Sequence, residues 1–174
     1  MPLTALVRAT WLTVGVLGLA LTLGGCGQDD DEGGDAGVAR GCSSAPPDSA
    51  SWSGNAEADP TSGEVDAAAF NRYLEDAGPP VSTSPCDAAR VFLHLDRPQE
   101  EGETVDLRVE PEDAPEATVT VTFDNLADDS VAAVRWTLQF EPAEDDSIRL
   151  ARGRVGQRCQ PGRGHQDFSP ELCI

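Results

Sequence analysis

The chain has 174 residues, enough for one ordinary domain together with a leader and a tail. It has 31 acidic residues and 12 basic residues, and every basic residue is Arg, so the net charge is −19. Such an acidic body repels nucleic-acid phosphates and anionic lipid headgroups, which argues against both as partners. The acidity is typical of a solubilising surface, and a cation-rich partner or a divalent ion is the alternative.

An uncharged run begins the chain. After Arg8, the residues from Ala9 to Leu23 carry no charge. A helix over this run would be about 22 Å long, which is shorter than the roughly 30 Å of hydrocarbon core that a permanent membrane span must cross. The length instead fits the core of a signal peptide, so residues 1–25 are predicted to be a leader that is removed on export.

The residues that follow the run carry a motif. Leu23-Gly24-Gly25-Cys26 resembles the lipobox of bacterial lipoproteins, and this resemblance implies that the Cys26 thiol is acylated and the peptide bond before it is cut. Two or more acyl chains on one residue anchor a protein stably, since each buried CH₂ contributes about 0.8 kcal/mol. We therefore expect a mature protein anchored on the outer face of a cell membrane. An ordinary secretory signal with an incidental Cys is the alternative.

A polar segment separates Cys26 from the predicted domain. Residues 27–35 contain five acidic side chains and no large apolar one, which is typical of an extended, solvated tether. Residues 43–63 are rich in Ser, Pro, Gly, Asp and Ala and contain a single aromatic residue, Trp52. The sequence therefore predicts a disordered tether over residues 26–60 and a folded extracytoplasmic domain over residues 61–174.

Four cysteines remain in the mature chain: Cys42, Cys86, Cys159 and Cys173. An even number in an exported protein predicts two disulfides, for which three pairings are possible. We favour Cys42–Cys86 with Cys159–Cys173, because the second bridge would close a short C-terminal loop rich in Gly and Pro. Zinc is the competing interpretation, but the chain has no C-x-x-C pair. We expect no metal and no other cofactor.

Two helices are predicted at the start of this domain. The first has one apolar face and ends at Gly78-Pro79-Pro80. Its face consists of Val65, Ala68, Ala69, Tyr73 and Leu74. The second has Ser84 as its cap and Pro85 at its first position, and ends at Arg97-Pro98. Its apolar residues are Ala88, Val91, Phe92 and Leu95. A strand over Arg90 to Leu95 is the alternative.

The apolar period then changes from 3.6 to 2, which predicts antiparallel strands with one buried and one wet face. The inward residues of the first three strands are Val105, Leu107 and Val109, then Val119, Val121 and Phe123, then Val134, Trp136, Leu138 and Phe140. In the last strand Ile148 and Leu150 point inward and the parity then changes, which indicates a bulge near Ala151. The fold class is thus α+β: two N-terminal helices packed on a curved sheet of about four strands, analogous to a cystatin-like or NTF2-like cone.

The C-terminal segment holds the candidate site. Arg158-Cys159-Gln160-Pro161-Gly162-Arg163-Gly164-His165, followed by Phe168 and Cys173, resembles the R-C-x-x-G-R-G-H-x-x-F ending of uncharacterised actinobacterial lipoproteins. The resemblance extends back to Cys86, about half of the chain. It implies the location and the domain boundaries but brings no activity with it.

Arg158, Arg163 and His165 are candidates for binding an anion such as a carboxylate or phosphate. The alternative is structural: the Arg-rich end pairs with the acidic body, and His165 caps a loop inside the disulfide. Nearby, Arg152, Arg154 and Arg158 share strand parity, so with Arg149 they form a basic strip that either docks an anionic partner or offsets neighbouring acids.

Nucleophilic catalysis has little support. The chain has no G-x-S-x-G motif, no free mature Cys, and only two histidines, His94 and His165. We predict no catalytic residue and a non-catalytic binding or envelope-support module, whose partner is an envelope protein or an anionic ligand. The alternative is an envelope hydrolase or a lipid-handling or small-molecule-handling protein with a pocket on the sheet. A domain that only supports a neighbouring protein also fits.

Overall fold

A computed structural model describes residues 42–174 except positions 44, 46 and 113. The predicted leader, Cys26 and the acidic stretch after it lie outside the described residues. A 3-10 turn at Ser49–Ser51 is followed by helices α1 (Ala68–Asp76) and α2 (Pro85–Phe92). Four strands follow: β1 (Thr104–Glu110), β2 (Ala117–Asp124), β3 (Val131–Pro142) and β4 (Ile148–Cys159). Within the described residues, no helix combines the length and the apolar character that crossing a membrane requires.

The strands form one open antiparallel sheet in the order β1-β2-β3-β4. Each strand pairs with the next along the chain, as the alternating pattern predicted. The bulge is also confirmed: Gln139 pairs with Arg152 and Phe140 pairs with Leu150, which leaves Ala151 as an extra residue on β4. Because of this extra residue, the inward-facing position after Leu150 is Gly153 rather than Arg152, and the buried face of β4 stays continuous.

Helix α2 confirms the predicted cap. The Ser84 hydroxyl accepts a hydrogen bond from the Asp87 amide at 3.2 Å, and Pro85 occupies the first turn, where its missing N–H costs nothing. The strand alternative for Arg90 to Leu95 is wrong, since the helix continues to Phe92. Val91 and Phe92 are fully buried, so the helical apolar stripe outweighs the short β-like pattern.

Helix α1 is present, but its predicted face was partly wrong. Its buried residues are Phe70 and Leu74, whereas Ala68 and Ala69 are exposed. Val65 precedes the helix and forms a β-bridge with Ala58. The large aromatic ring of Phe70 buries more apolar area than two alanines can, and it determines which side of the helix faces the core.

The start of the fold also differs from the prediction. The two helices precede the sheet but are not N-terminal, because a packed segment comes before them. Cys42 is bonded to Cys86, with 5.3 Å between the Cα atoms, and Trp52 is 7% exposed. The ring centroid of Trp52 lies 5.1 Å from that of Phe70. The boundary at residue 60 is therefore too late, since residues assigned to the tether contribute to the core.

The core lies between the two helices and the inner face of the sheet. Its largest fully buried side chains from these elements include Phe70 and Leu74 of α1, Phe92 of α2, and Leu138 and Phe140 of β3. The β4 edge of the sheet is partly covered by residues 63–65, where the Val65 amide donates to Gly153 O at 3.0 Å. The β1 edge instead carries exposed Asp106, Arg108 and Glu110, whose charges discourage pairing with other strands.

Candidate sites on the C-terminal loop and the outer sheet face

The C-terminal loop is closed by the second bridge. Cys159 and Cys173 are bonded, with 5.4 Å between their Cα atoms, so the favoured pairing is confirmed for both disulfides. Gly164 lies over this bridge at φ 139°, and a Cβ there would come within 2.8 Å of Cys159 Sγ. A glycine is thus required at position 164, because the loop packs closely onto its own disulfide.

Both ring nitrogens of His165 face backbone carbonyl oxygens. Nδ1 lies 2.8 Å from Asp167 O, and Nε2 lies 2.9 Å from Glu171 O. A neutral imidazole can donate through only one nitrogen, whereas the imidazolium donates through both. The carbonyls of Glu171 and then Asp167 accordingly hold the pKa of His165 above its usual value. This geometry is that of a cation that fastens the loop.

The C-terminal loop is expected to loosen as the pH rises. The folded pKa of His165 is raised, so its contribution to stability is complete below the unfolded value of 6.5 and is lost as the pH rises through the folded value. Amide exchange at residues 165–173 should therefore be faster at pH 8.5 than at pH 6 after correction for intrinsic rates. His165→Gln should abolish this difference. Equal corrected protection at both pH values in the wild type would contradict the assignment.

The other two candidate residues contact carboxylates on separate segments. Arg158 Nη2 donates to both oxygens of Asp124, at 3.0 and 3.1 Å. Arg163 lies 3.9 Å from Asp129, and the side chain of Arg163 is about half exposed whereas that of Asp129 is almost fully exposed. Each candidate therefore already has an intramolecular partner, as the structural alternative requires, and binding of an anion by Arg158, Arg163 and His165 stays a prediction.

Cys159, His165 and Cys173 also place three potential metal-ligand atoms within 4.8 Å of one another. Zinc is bound by thiolate sulfur, and the two sulfurs here are joined in a disulfide. Both nitrogens of His165 are directed at carbonyl oxygens instead. The cluster is better explained by loop closure than by metal binding.

The second histidine lies near a serine and a carboxylate, but in an order that does not suit catalysis. His94 Nδ1 is 2.9 Å from Ser49 Oγ, and that hydroxyl donates to Asp96 at 2.5 Å. In a catalytic triad the imidazole stands between the serine and the carboxylate, whereas here the serine stands between the other two. Ser49 is also only 1% exposed.

The contact between His94 and Ser49 fastens the 3-10 turn at Ser49–Ser51 to the segment after α2. His94 Nε2 also lies 2.9 Å from Gly54 O, so the ring bridges two points of the preceding segment. The Ser49 hydroxyl, followed by its amide, holds the pKa of Asp96 below its usual value against the opposing effect of desolvation. These contacts help to hold the segment that contains the buried residues Ser49 and Trp52, although its composition is typical of a loop.

The inner face of the sheet is mostly filled. Leu138 and Phe140 are fully buried, and the Trp136 ring meets Phe92 edge-on with 6.2 Å between centroids. Val134 instead lines a cleft of about 160 Å³ together with Val155. Pockets that enclose small molecules are typically about 300 Å³ or more. The cleft is therefore small for a ligand of that kind.

The outer face of the sheet carries Thr and Arg side chains in rows across the strands. One row runs Arg108, Thr120, Thr137 and Arg154, and the next runs Glu110, Thr118, Gln139 and Arg152. Across the whole face there are six Arg and four acidic residues. The Arg residues are Arg108, Arg135, Arg149, Arg152, Arg154 and Arg158, and the acidic residues are Asp106, Glu110, Asp124 and Glu141. The predicted common parity of Arg152, Arg154 and Arg158 is confirmed.

Four of these Arg side chains have carboxylate partners. Arg108 pairs with Asp106, Arg149 with Glu141, Arg154 with Glu64 and Arg158 with Asp124. In the part of the chain that the structure describes, Arg135 and Arg152 have none within ion-pair distance. Arg135 lies over the Phe168 ring, 3.8 Å from its centroid, and donates to Thr122 Oγ1 at 3.2 Å. Positive charge is therefore left over on the β3–β4 half of this face.

The outer face would have been hard to find from sequence alone. The common parity of the β4 arginines indicated only the β4 part of this face. The Thr residues that lie beside these arginines belong to β2 and β3. Only the strand register brings these residues into rows. The comparisons with known proteins add no site, because no protein-family model, curated protein or solved structure matches this chain.

Proposed function

We propose that this protein is a lipid-anchored extracytoplasmic lipoprotein whose domain is a non-catalytic binding module that acts through its surface. The observation that carries the binding role is the outer sheet face, where Arg135 and Arg152 lack carboxylate partners among the described residues. A protein with a solid core and an organised polar surface is suited to docking a partner rather than enclosing one.

The leader supports the anchor. The uncharged run before Leu23-Gly24-Gly25-Cys26 fits a signal-peptide core, and the acidic residues after it fit a spacer between membrane and domain. Two disulfides within the described domain are in keeping with an oxidising compartment. With this topology, Cys26 would remain on the membrane and the domain would face outward.

Cys26→Ser is expected to abolish membrane attachment when the full chain is expressed in a bacterium that processes lipoproteins. Serine cannot form the thioether, so the protein should move from the membrane fraction to the soluble fraction or accumulate unprocessed. The readouts are fractionation and the intact mass, which should include a diacylglyceryl adduct only in the wild type. Ala36→Ser serves as a control that keeps Cys26. An unmodified wild-type N-terminus, or Cys26→Ser still processed and membrane-bound, would refute the anchor.

For the finer architecture we propose a curved sheet that wraps the helices as in a cystatin-like or NTF2-like cone. The bulge at Ala151 supports curvature, since an extra residue on one strand bends it and increases its twist. The alternative function, an envelope hydrolase or lipid-handling protein, would use the cleft at Val134 and Val155. Its small volume and the enclosed position of Ser49 favour the binding module.

A further inference from the structure

We propose that the β3–β4 half of the outer sheet face binds a linear phosphodiester-linked polyol or glycan polymer. This assignment rests on the proposed function, because it names the partner of that surface. The residues that would contact the polymer are Arg135, Arg152, Arg154, Thr120, Thr137 and Gln139, which are neighbours across the two strands or on β2.

The charge of this area is opposite to that of the rest of the protein. The chain carries −19 in all, yet Arg152 and Arg154 project from one face two positions apart, about 7 Å along the strand. Among the described residues, the carboxylate paired with Arg154 is that of Glu64, 3.7 Å away, and both side chains are more than 60% exposed. A pair so open to solvent is weak and can exchange for another anion at little cost.

Arginine matches phosphate well because its planar guanidinium can donate two parallel hydrogen bonds to one anionic group. The guanidinium of Arg135 is held over the Phe168 ring and donates to Thr122, which reduces the freedom that binding would otherwise remove. Arg135 and Arg152 also need not release an intramolecular carboxylate among the described residues.

The residues between the arginines suit a hydroxyl-rich backbone. Thr120 and Thr137 lie side by side in the row from Arg108 to Arg154, which spans roughly 14 Å across four strands. Within the described residues, neither hydroxyl has a hydrogen-bond partner, and both side chains are half-buried. Such hydroxyls can donate to phosphate oxygens and accept from polyol hydroxyls.

Other macromolecules fit this surface less well. Protein interfaces are anchored by buried aromatic and large apolar residues, and the strand residues facing outward here are Thr, Gln, Gly, Ala and charged side chains. An extended anionic membrane surface would also face the surrounding acidic residues and be repelled. A thin, flexible polymer would contact only the basic strip, where it would displace the exposed Glu64 carboxylate from Arg154, and acids more than about 8 Å away are largely screened at physiological salt.

The test measures binding of the full-length lipidated protein, held in neutral phosphatidylcholine nanodiscs, to soluble poly(glycerol phosphate). We expect saturable binding that weakens as salt is raised. Arg152→Gln/Arg154→Gln should weaken it about tenfold at low salt and reduce the slope of log affinity against log salt by roughly 1 to 1.5, by analogy with single-stranded nucleic acid. Arg72→Gln/Arg97→Gln, with the same charge change at exposed positions outside the sheet, should bind as the wild type does.

Several results would overturn the proposal. These are an absence of polymer binding, equal weakening by the two double variants, and equally tight binding of polyglutamate or of vesicles that contain anionic lipid. Circular dichroism and the melting temperature establish that each variant is folded, which is expected because all four arginines are exposed. Cys26-dependent fractionation is measured on the same preparations, so loss of polymer binding with the anchor intact would refute the partner and leave the anchor standing.

Discussion

Trp52→Ala is expected to lower the free energy of unfolding by about 3–5 kcal/mol, the range found when a buried Trp or Phe is truncated. The indole is 7% exposed and contacts rings from both helices: its centroid lies 5.1 Å from Phe70 and 6.5 Å from Phe92. Truncation would leave a cavity between the N-terminal segment and the helices. Urea unfolding of the full chain, followed by circular dichroism, measures the change.

Trp52→Phe is the informative companion variant. Among the described residues, the indole N–H of Trp52 is buried without a hydrogen-bond partner, and a buried donor of this kind is costly. Phenylalanine removes the donor and keeps most of the apolar contact, so the loss should be clearly smaller than for Ala. Leu172→Ala, at a 75% exposed position, should change stability by less than about 0.5 kcal/mol. If Trp52→Ala is as mild as Leu172→Ala, the segment does not belong to the core.

The sheet could be predicted from the sequence, whereas the burial of the segment around Trp52 could not. Alternation over a strand is local, and four such runs follow one another with short connections. The bulge at Ala151 was visible as a change of parity for the same reason. These patterns depend only on residues two positions apart.

The contribution of residues 42–60 could not be predicted in this way. A Ser-rich and Pro-rich segment with one Trp has the composition of a loop, and its burial depends on distant partners. Ser49 bonds with Asp96, 47 positions later, and Cys42 with Cys86, 44 positions later. The even number of cysteines predicted two disulfides, and Cys42–Cys86 belonged to the favoured pairing, but nothing in the local pattern indicated the contact between Ser49 and Asp96.

The candidate sites show the same division. The sequence indicated Arg158, Arg163 and His165 by residue type, and their carboxylate and carbonyl partners became visible only in three dimensions. The alternation along β2 correctly placed its Thr residues on the face opposite Val119 and Val121, but their alignment with Thr137 and Arg154 depends on register. Parity predicts which face a residue occupies, and only the pairing shows which residues are neighbours.

A buried carboxylate connects the N-terminal segment to α2, and removing it should have an effect as large as that of Trp52→Ala. Asp87 is 1% exposed, accepts from the Ser43 hydroxyl at 2.7 Å, and lies 3.4 Å from Arg90, which is 13% exposed. Asp87→Ala would leave the Arg90 charge without its carboxylate in a largely buried position. Loss of one partner from a buried pair costs about 3–5 kcal/mol, measured as the change in unfolding free energy in urea.

Comparison variants separate the ion pair from simple loss of a side chain. Asp87→Asn keeps an acceptor oxygen for Ser43 and should cost less than Ala. In Asp87→Ala/Arg90→Met no buried charge is stranded, so the double variant should be more stable than the sum of the single losses by about 1–3 kcal/mol. Asp76→Ala, an exposed acid at the end of α1, serves as the control. Additive losses at positions 87 and 90 would mean that the two side chains act independently, and that Asp87 holds the N-terminal segment through Ser43 alone.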